Sequence, residues 1–209
     1  SAAPTATITP LSDGFQGVSG QMRSFVVTAT DASPGDQAGK FTYFIDWGDV
    51  LLPNLVEGPS PLTVSHAFSR PGAFAPTVYA VDKDSVAGPS AGGPMVNILT
   101  LEKQGPVWAV SGTPSQEGLI ENTLVVAQVS SRTFAITSNS QSRGRVTLAS
   151  GERIRVFFGS VAKSSDQIKV NGTPGADQFL IGDQRVTLNG VAIEFEGAEF
   201  QRLDGAAGT

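Results

Sequence analysis

Apolar and polar positions alternate along the first half of the chain in short segments of period two, the spacing of a strand with one buried face. Six segments carry the pattern: Thr5–Thr9, Ser24–Thr30, Phe41–Trp47, Leu62–Phe68, Phe74–Val81 and Met95–Leu101. Turn formers separate them, among them Ser33-Pro34-Gly35-Asp36 and Arg70-Pro71-Gly72. Short strands at this spacing, punctuated by Pro and Gly, predict a β-sandwich. Phe74, Val78 and Ala80 share one face of their segment, and Pro76 falls on it too. Proline cannot donate to a ladder, so that strand is expected at a sheet edge or a bulge.

The second half has few prolines and repeats itself. Val170-Asn171-Gly172 returns as Leu203-Asp204-Gly205, 33 residues on. Ile154–Phe157 returns as Ile193–Glu196 at 39 residues, and Val146-Thr147-Leu148 as Val186-Thr187-Leu188 at 40. A copy of the turn, Val110-Ser111-Gly112-Thr113-Pro114, lies 60 residues before the one at Val170. Three short strands and a Gly-rich corner describe one coil of a parallel β-helix, whose coils are stable only when stacked. The expected architecture is all-β: a sandwich over residues 4–100, then a parallel β-helix-like solenoid fragment over residues 101–209. The polar run Glu102-Lys103-Gln104-Gly105-Pro106 forms the junction. Because the chain stops at Gly208-Thr209, inside a repeat, the repeat is expected to continue in a longer parent protein.

Composition supports this picture and narrows the chemistry. With 24 Gly, 13 Pro and only 16% charged residues the chain is turn-rich and unlike a helical protein, while 40% hydrophobic content is enough to fold. A net charge of −5 without a basic run argues against a nucleic-acid partner. The absence of Cys excludes disulfides, thiolate metal sites and Cys nucleophiles. No apolar run approaches the ~20 residues of a membrane span, so no membrane insertion is expected of this fragment.

Three motifs in the first half occur in the order found in PKD domains. Phe44-Ile45-Asp46-Trp47-Gly48-Asp49 resembles their Trp-Asp-Phe-Gly-Asp-Gly turn. His66-Ala67-Phe68-Ser69-Arg70-Pro71-Gly72-Ala73-Phe74 resembles their His-x-Tyr-x-x-Pro-Gly-x-Tyr corner, and Val81-Asp82-Lys83-Asp84-Ser85 their closing Val-x-Asp-x-Asp-Gly. Ile45 stands where Trp is usual, and Val50 and Ser85 where Gly is usual, so the core aromatic is expected at Trp47. The resemblance implies an immunoglobulin-like sandwich and, because some PKD-like domains bind calcium, a calcium reading of the acidic turns. The Gly-Thr-Pro-Gly-Ala-Asp corner at Gly172–Asp177 resembles the calcium turn of RTX proteins, but those turns recur every nine residues and this one does not. The whole resembles long surface proteins that string PKD-like modules and Gly/Asp-rich solenoid repeats together, which implies an extracellular or cell-surface location, bacterial in origin.

Asp46, Asp49, Asp82 and Asp84 are the most concentrated carboxylates. As calcium ligands they would supply the several oxygens a hard cation takes; as turn residues they would cap backbone N–H groups. His66 is the only histidine, which removes two-His metal sites and leaves a Ser–His pair without an orienting third group. Asp166, Asp177, Asp183, Glu194 and Glu196 are the carboxylates a polysaccharide lyase or hydrolase on the solenoid would use, with Lys169 and Arg185 nearest in sequence. Glu194 and Glu196 share a strand face, which is equally the solvated side of a strand whose Ile193 and Phe195 point inward. Trp47, Trp108, Tyr43 and Tyr79 are either a sugar-stacking platform or core. Taken together the sequence predicts a non-catalytic structural or adhesive module that meets carbohydrate or protein at the cell surface, with no catalytic residue and no cofactor beyond calcium. The competing reading is the polysaccharide-active enzyme, or its binding appendage.

Overall fold

The computed structural model describes residues 2–12, 14–50, 52–112, 123–158, 167–196 and 200–204. The chain divides into two compact units: residues 1–17, 22–68 and 72–98 form the first, and residues 18–21, 69–71 and 99–209 the second.

The first unit carries β1 (Thr5–Pro10), β2 (Gln16–Val18), β3 (Met22–Thr30), one helical turn α1 (Pro34–Gln37), β4 (Phe41–Asp46), β5 (Asn54–Gly58), β6 (Leu62–Ala67), β7 (Gly72–Phe74), β8 (Thr77–Val81), β9 (Ala91–Gly92) and β10 (Val96–Leu99). The sheets run β1-β3-β6, β5-β4-β8-β9 and β2-β10-β7. The first two have the A-B-E and C′-C-F-G orders of an immunoglobulin-like sandwich, and their pairings are antiparallel. Period-two alternation sends Ala6, Ile8, Phe25, Val27, Phe41, Tyr43, Ile45, Val78 and Ala80 into one core. Trp47, 1% exposed, joins them, with its ring centroid 4.7 Å from that of Phe25. The core aromatic does sit at Trp47, the position the missing Trp at Ile45 implied.

Pro76 does not lie in a strand. The segment Phe74–Val81 splits there, β7 pairing with β10 and β8 lying between β4 and β9. The one strand expected there, at an edge or a bulge, is therefore two: β7 is the edge strand of its sheet, whereas β8 lies inside its own. Proline, lacking an N–H, marks the step from one sheet to the other, and its carbonyl accepts from Gly93 N at 2.7 Å. Phe74, Val78 and Ala80 are nonetheless all buried, as the shared face requires.

The second unit continues with β11 (Leu101–Gln104), β12 (Val107–Ser111), β13 (Thr123–Ser130), β14 (Thr133–Ser138), β15 (Gln141–Thr147), β16 (Arg153–Phe157), β17 (Gln167–Asn171), β18 (Phe179–Gly182), β19 (Arg185–Leu188), β20 (Val191–Glu196) and β21 (Phe200–Asp204). Its sheets run β11-β12-β16-β20-β19-β18 and β15-β14-β13-β17-β21. Within them β12, β16 and β20 stack in parallel, and so do β13, β17 and β21. Two of the sequence repeats are the registers of these stacks: Ile154 lies opposite Ile193, and Val170 opposite Leu203. Val110, Ile154, Val156, Ile193 and Phe195 from one sheet, and Leu124, Val126, Ile168 and Val170 from the other, fill a common core.

The remaining repeats are not coil repeats. Val146 and Leu148 belong to the β14–β15 arm, and Val186 and Leu188 to β19, in different sheets and antiparallel pairings. Val110 and Val170 likewise lie in different stacks. Asn189 (φ 50°) and Gly190 (φ 79°) turn β19 back onto β20 with both central residues left-handed, the hairpin geometry that Asn-Gly favours. The outer edge of β20 is thereby occupied by β19, where a further coil would have paired. Among the described residues the strands do not close into three-sided coils. Thr113, Pro114, Asp166 and the final Gly205–Thr209 corner lie outside the described residues.

Candidate functional site

Asp46 and Asp49 sit at one end of β4, Asp82 and Asp84 at the other: Asp46 is opposite Thr77, whereas Val81 is opposite Thr42. The four carboxylates predicted from the sequence therefore do not form one group. Asp46 is exposed, and its Oδ1 accepts from Gly48 N at 2.9 Å, which closes the turn. The Asp49 side chain is fully buried and meets His66 Nε2 at 2.9 Å. His66 also lies flat on Trp47 and edge-on to Phe68.

At the far end Asp82 folds its own loop, Oδ1 accepting from Asp84 N at 2.9 Å and Val86 N at 2.8 Å. Ser85 takes the left-handed conformation, φ 66°, at the position where Gly is usual. Two residues absent from the sequence expectation join Asp82 here. Asp31, just after β3, and Asp36, in α1, bring carboxylate oxygens to within 4.8 Å of one another and of Asp82. Ser33 caps α1 with its side chain accepting from Asp36 N, and Ser33 N donates to Asp31 Oδ1 at 2.7 Å. This local bonding fixes both carboxylates.

Asp36 is 2% exposed and Asp82 5%, and buried carboxylates need a counter-charge. Lys83 supplies one: its Nζ lies 2.7 Å from Asp36 Oδ1 and 2.8 Å from Asp84 Oδ2. Hydrogen bonding to Asp36, then to Asp84, pushes the ammonium's pKa well above the ordinary lysine value. Asp31, Asp36 and Asp82 offer the hard oxygen ligands a calcium ion takes, but a lysine already occupies one Asp36 oxygen.

In the second unit Glu194, Glu196 and Asp177 are tied down as well. Arg153 Nε donates to Glu194 at 3.1 Å and Arg155 to Glu196 at 2.9 Å, both reaching from β16 to β20. Arg185 stands opposite Glu194 in the ladder, while Lys169 lies in the other sheet. Asp177 Oδ1 accepts from Thr173 Oγ1 and Asn189 Nδ2, and Asp183 is exposed in the turn after β18. A Cβ at Gly172 would overlap the Asp177 carboxylate, so the RTX-like corner closes on itself around that side chain. Of the four aromatics considered for sugar stacking, Trp47 and Tyr43 are core. Trp108 packs partly buried against the second core, with Lys103 Nζ 5.7 Å from its ring centroid. Tyr79 points outward, stacked on Phe44.

No family model matches the chain, and no curated protein matches it. Among solved structures it is similar to the PKD domain of an M14-like peptidase from a Thermoplasmatales archaeon, at 20% identity over 46% of this chain and 92% of that one, with a TM-score of 0.33. It is similar also to the fibronectin(III)-like modules of CbhA from Clostridium thermocellum, at 14% identity over 44% of this chain and 96% of that one, with a TM-score of 0.31.

Proposed function

We propose that this chain is a non-catalytic structural or adhesive module of a secreted or cell-surface bacterial protein, pairing a PKD-like sandwich with a β-solenoid-like array and meeting carbohydrate or protein. The observation that carries the reading is His66: the only histidine is bonded to buried Asp49 and stacked on core Trp47, so it serves packing rather than proton transfer. Parallel stacking of repeated strands supports a spacer role, because each repeated strand forms its ladder with the next. A net charge of −5 leaves nucleic acid outside the proposed partners. No described helix is long and apolar enough to cross a membrane.

One observation favours the enzymatic alternative. Glu194 and Glu196 share an outward face with Arg153 and Arg155, the pairing of carboxylate and cation that uronate-cleaving chemistry uses. Incubation with neutral and acidic polysaccharides, read by release of new chain ends, separates the two. The proposed module releases none. Release that disappears in the Glu194→Gln/Glu196→Gln variant overturns the non-catalytic reading.

A further inference from the structure

The outward face of β5-β4-β8 carries an apolar ridge that the core does not use. Phe44 on β4 lies opposite Leu55 on β5 and opposite Tyr79 on β8, so the three side chains line up across three strands. The Phe44 and Tyr79 rings are parallel within 2° with centroids 4.7 Å apart, and Leu55 is 61% exposed. The inward positions of these strands, Tyr43, Ile45, Val78 and Ala80, are fully buried, so the ridge is the solvent side of the sheet. Alternation places polar residues on such a face; two aromatics and a leucine in one row depart from it.

We propose that this ridge is a docking site for a neutral polysaccharide, which deepens, and rests on, the carbohydrate-binding form of the adhesive reading. A sugar ring has an apolar C–H face and a hydroxyl rim. The Leu55–Phe44–Tyr79 row buries the former, and the flanking Thr42 and Thr77 hydroxyls, on the same outward face, meet the latter. The ridge spans two strand spacings, roughly 10 Å. A standard protein interface engages about 20–30 residues a side, so three side chains suit a sugar better than a protein. Charge selects a neutral polymer: Asp46 is exposed on this face, and Glu57, opposite Thr42, pairs with Lys40 at 3.4 Å. A polyanion would be repelled.

Retention on insoluble cellulose and on starch, with soluble carboxymethyl cellulose as the polyanion, tests the site. The intact chain is retained by at least one neutral glycan. Phe44→Thr and Tyr79→Thr, which keep a strand-forming residue, each weaken retention by roughly tenfold. Tyr79→Phe keeps it. Leu55→Lys sits at an exposed position that the fold does not need, and its loss of retention decides the matter should either threonine variant fail to fold. Three results overturn the proposal: no retention by either neutral glycan, retention unchanged in Leu55→Lys, or equal binding of carboxymethyl cellulose. Chain-end release would instead sink the non-catalytic reading, so the two failures are distinguishable.

Discussion

His66 lies parallel to Trp47, planes 3° apart and ring centroids 4.5 Å apart, while its Nε2 meets the buried carboxylate of Asp49 at 2.9 Å. The imidazole is thus a structural bridge between a core indole and a desolvated acid. Removing it strips Asp49 of a partner and Trp47 of a stacking face. His66→Ala is expected to lower stability by about 2–4 kcal/mol, and His66→Gln by less because an amide can still donate to Asp49. Urea unfolding followed by tryptophan fluorescence measures both; a loss below about 0.5 kcal/mol for the alanine variant, the size of an ordinary surface change, would contradict the role.

Alkaline pH should destabilise the first unit. Burial pushes the Tyr43 hydroxyl above its ordinary 10.0, and hydrogen bonds to Asp36 and Asp84 push Lys83 above its ordinary 10.5. Both folded values exceed the unfolded ones, so each contribution is fully present below about pH 10 and is lost as pH rises further, where the unfolded chain releases protons the folded chain retains. The melting temperature is expected to hold between pH 7 and 9.5 and to fall above pH 10. In Lys83→Met the alkaline fall becomes shallower. An identical fall in that variant would remove Lys83 from the account.

Lys83 also sets the response to calcium. Its ammonium neutralises Asp36 beside Asp31 and Asp82, so the melting temperature of the intact chain should move little with added calcium or EDTA. Lys83→Met leaves those carboxylates without that cation: its melting temperature should drop, and millimolar calcium should restore it. An EDTA-induced loss in the intact chain would show instead that calcium, and not lysine, serves the group.

Much of this arrangement was legible in the sequence, for physical reasons that particular residues make plain. Period two fixed the inward faces of β3, β4 and β8, because a single-residue slip would expose Phe25, Tyr43 or Val78. The offsets of 39 and 33 residues were legible as stacked registers, since parallel strands place like residues side by side at Ile154/Ile193 and Val170/Leu203. The β14–β15 and β18–β19 arms were not, because an antiparallel hairpin shows the same alternation as a coil strand. Their signals lay in the turns, Asn139-Ser140 within the first arm and Asp183-Gln184 within the second, where Asn139, Ser140 and Gln184 take positive φ. The acidic group escaped for another reason. Asp31 and Asp36 are local to one capped turn, but Asp82 reaches them only because the sandwich brings the ends of β3 and β8 together. The outward ridge was equally hidden: Tyr79 was considered, but its partner Phe44 depends on the β4–β8 register.

The most direct test of the second unit is its parallel register, and a chain without Cys makes it clean. Arg155 and Glu194 are ladder partners on β16 and β20, within the Cα separation a disulfide spans, whereas Arg153 and Glu196 are offset along the strands. Mild oxidation should cross-link Arg155→Cys/Glu194→Cys nearly completely, seen as faster migration without reductant, and leave Arg153→Cys/Glu196→Cys open. Cross-linking of the second pair in preference to the first, or of neither, would contradict the stacked repeat on which the spacer reading depends.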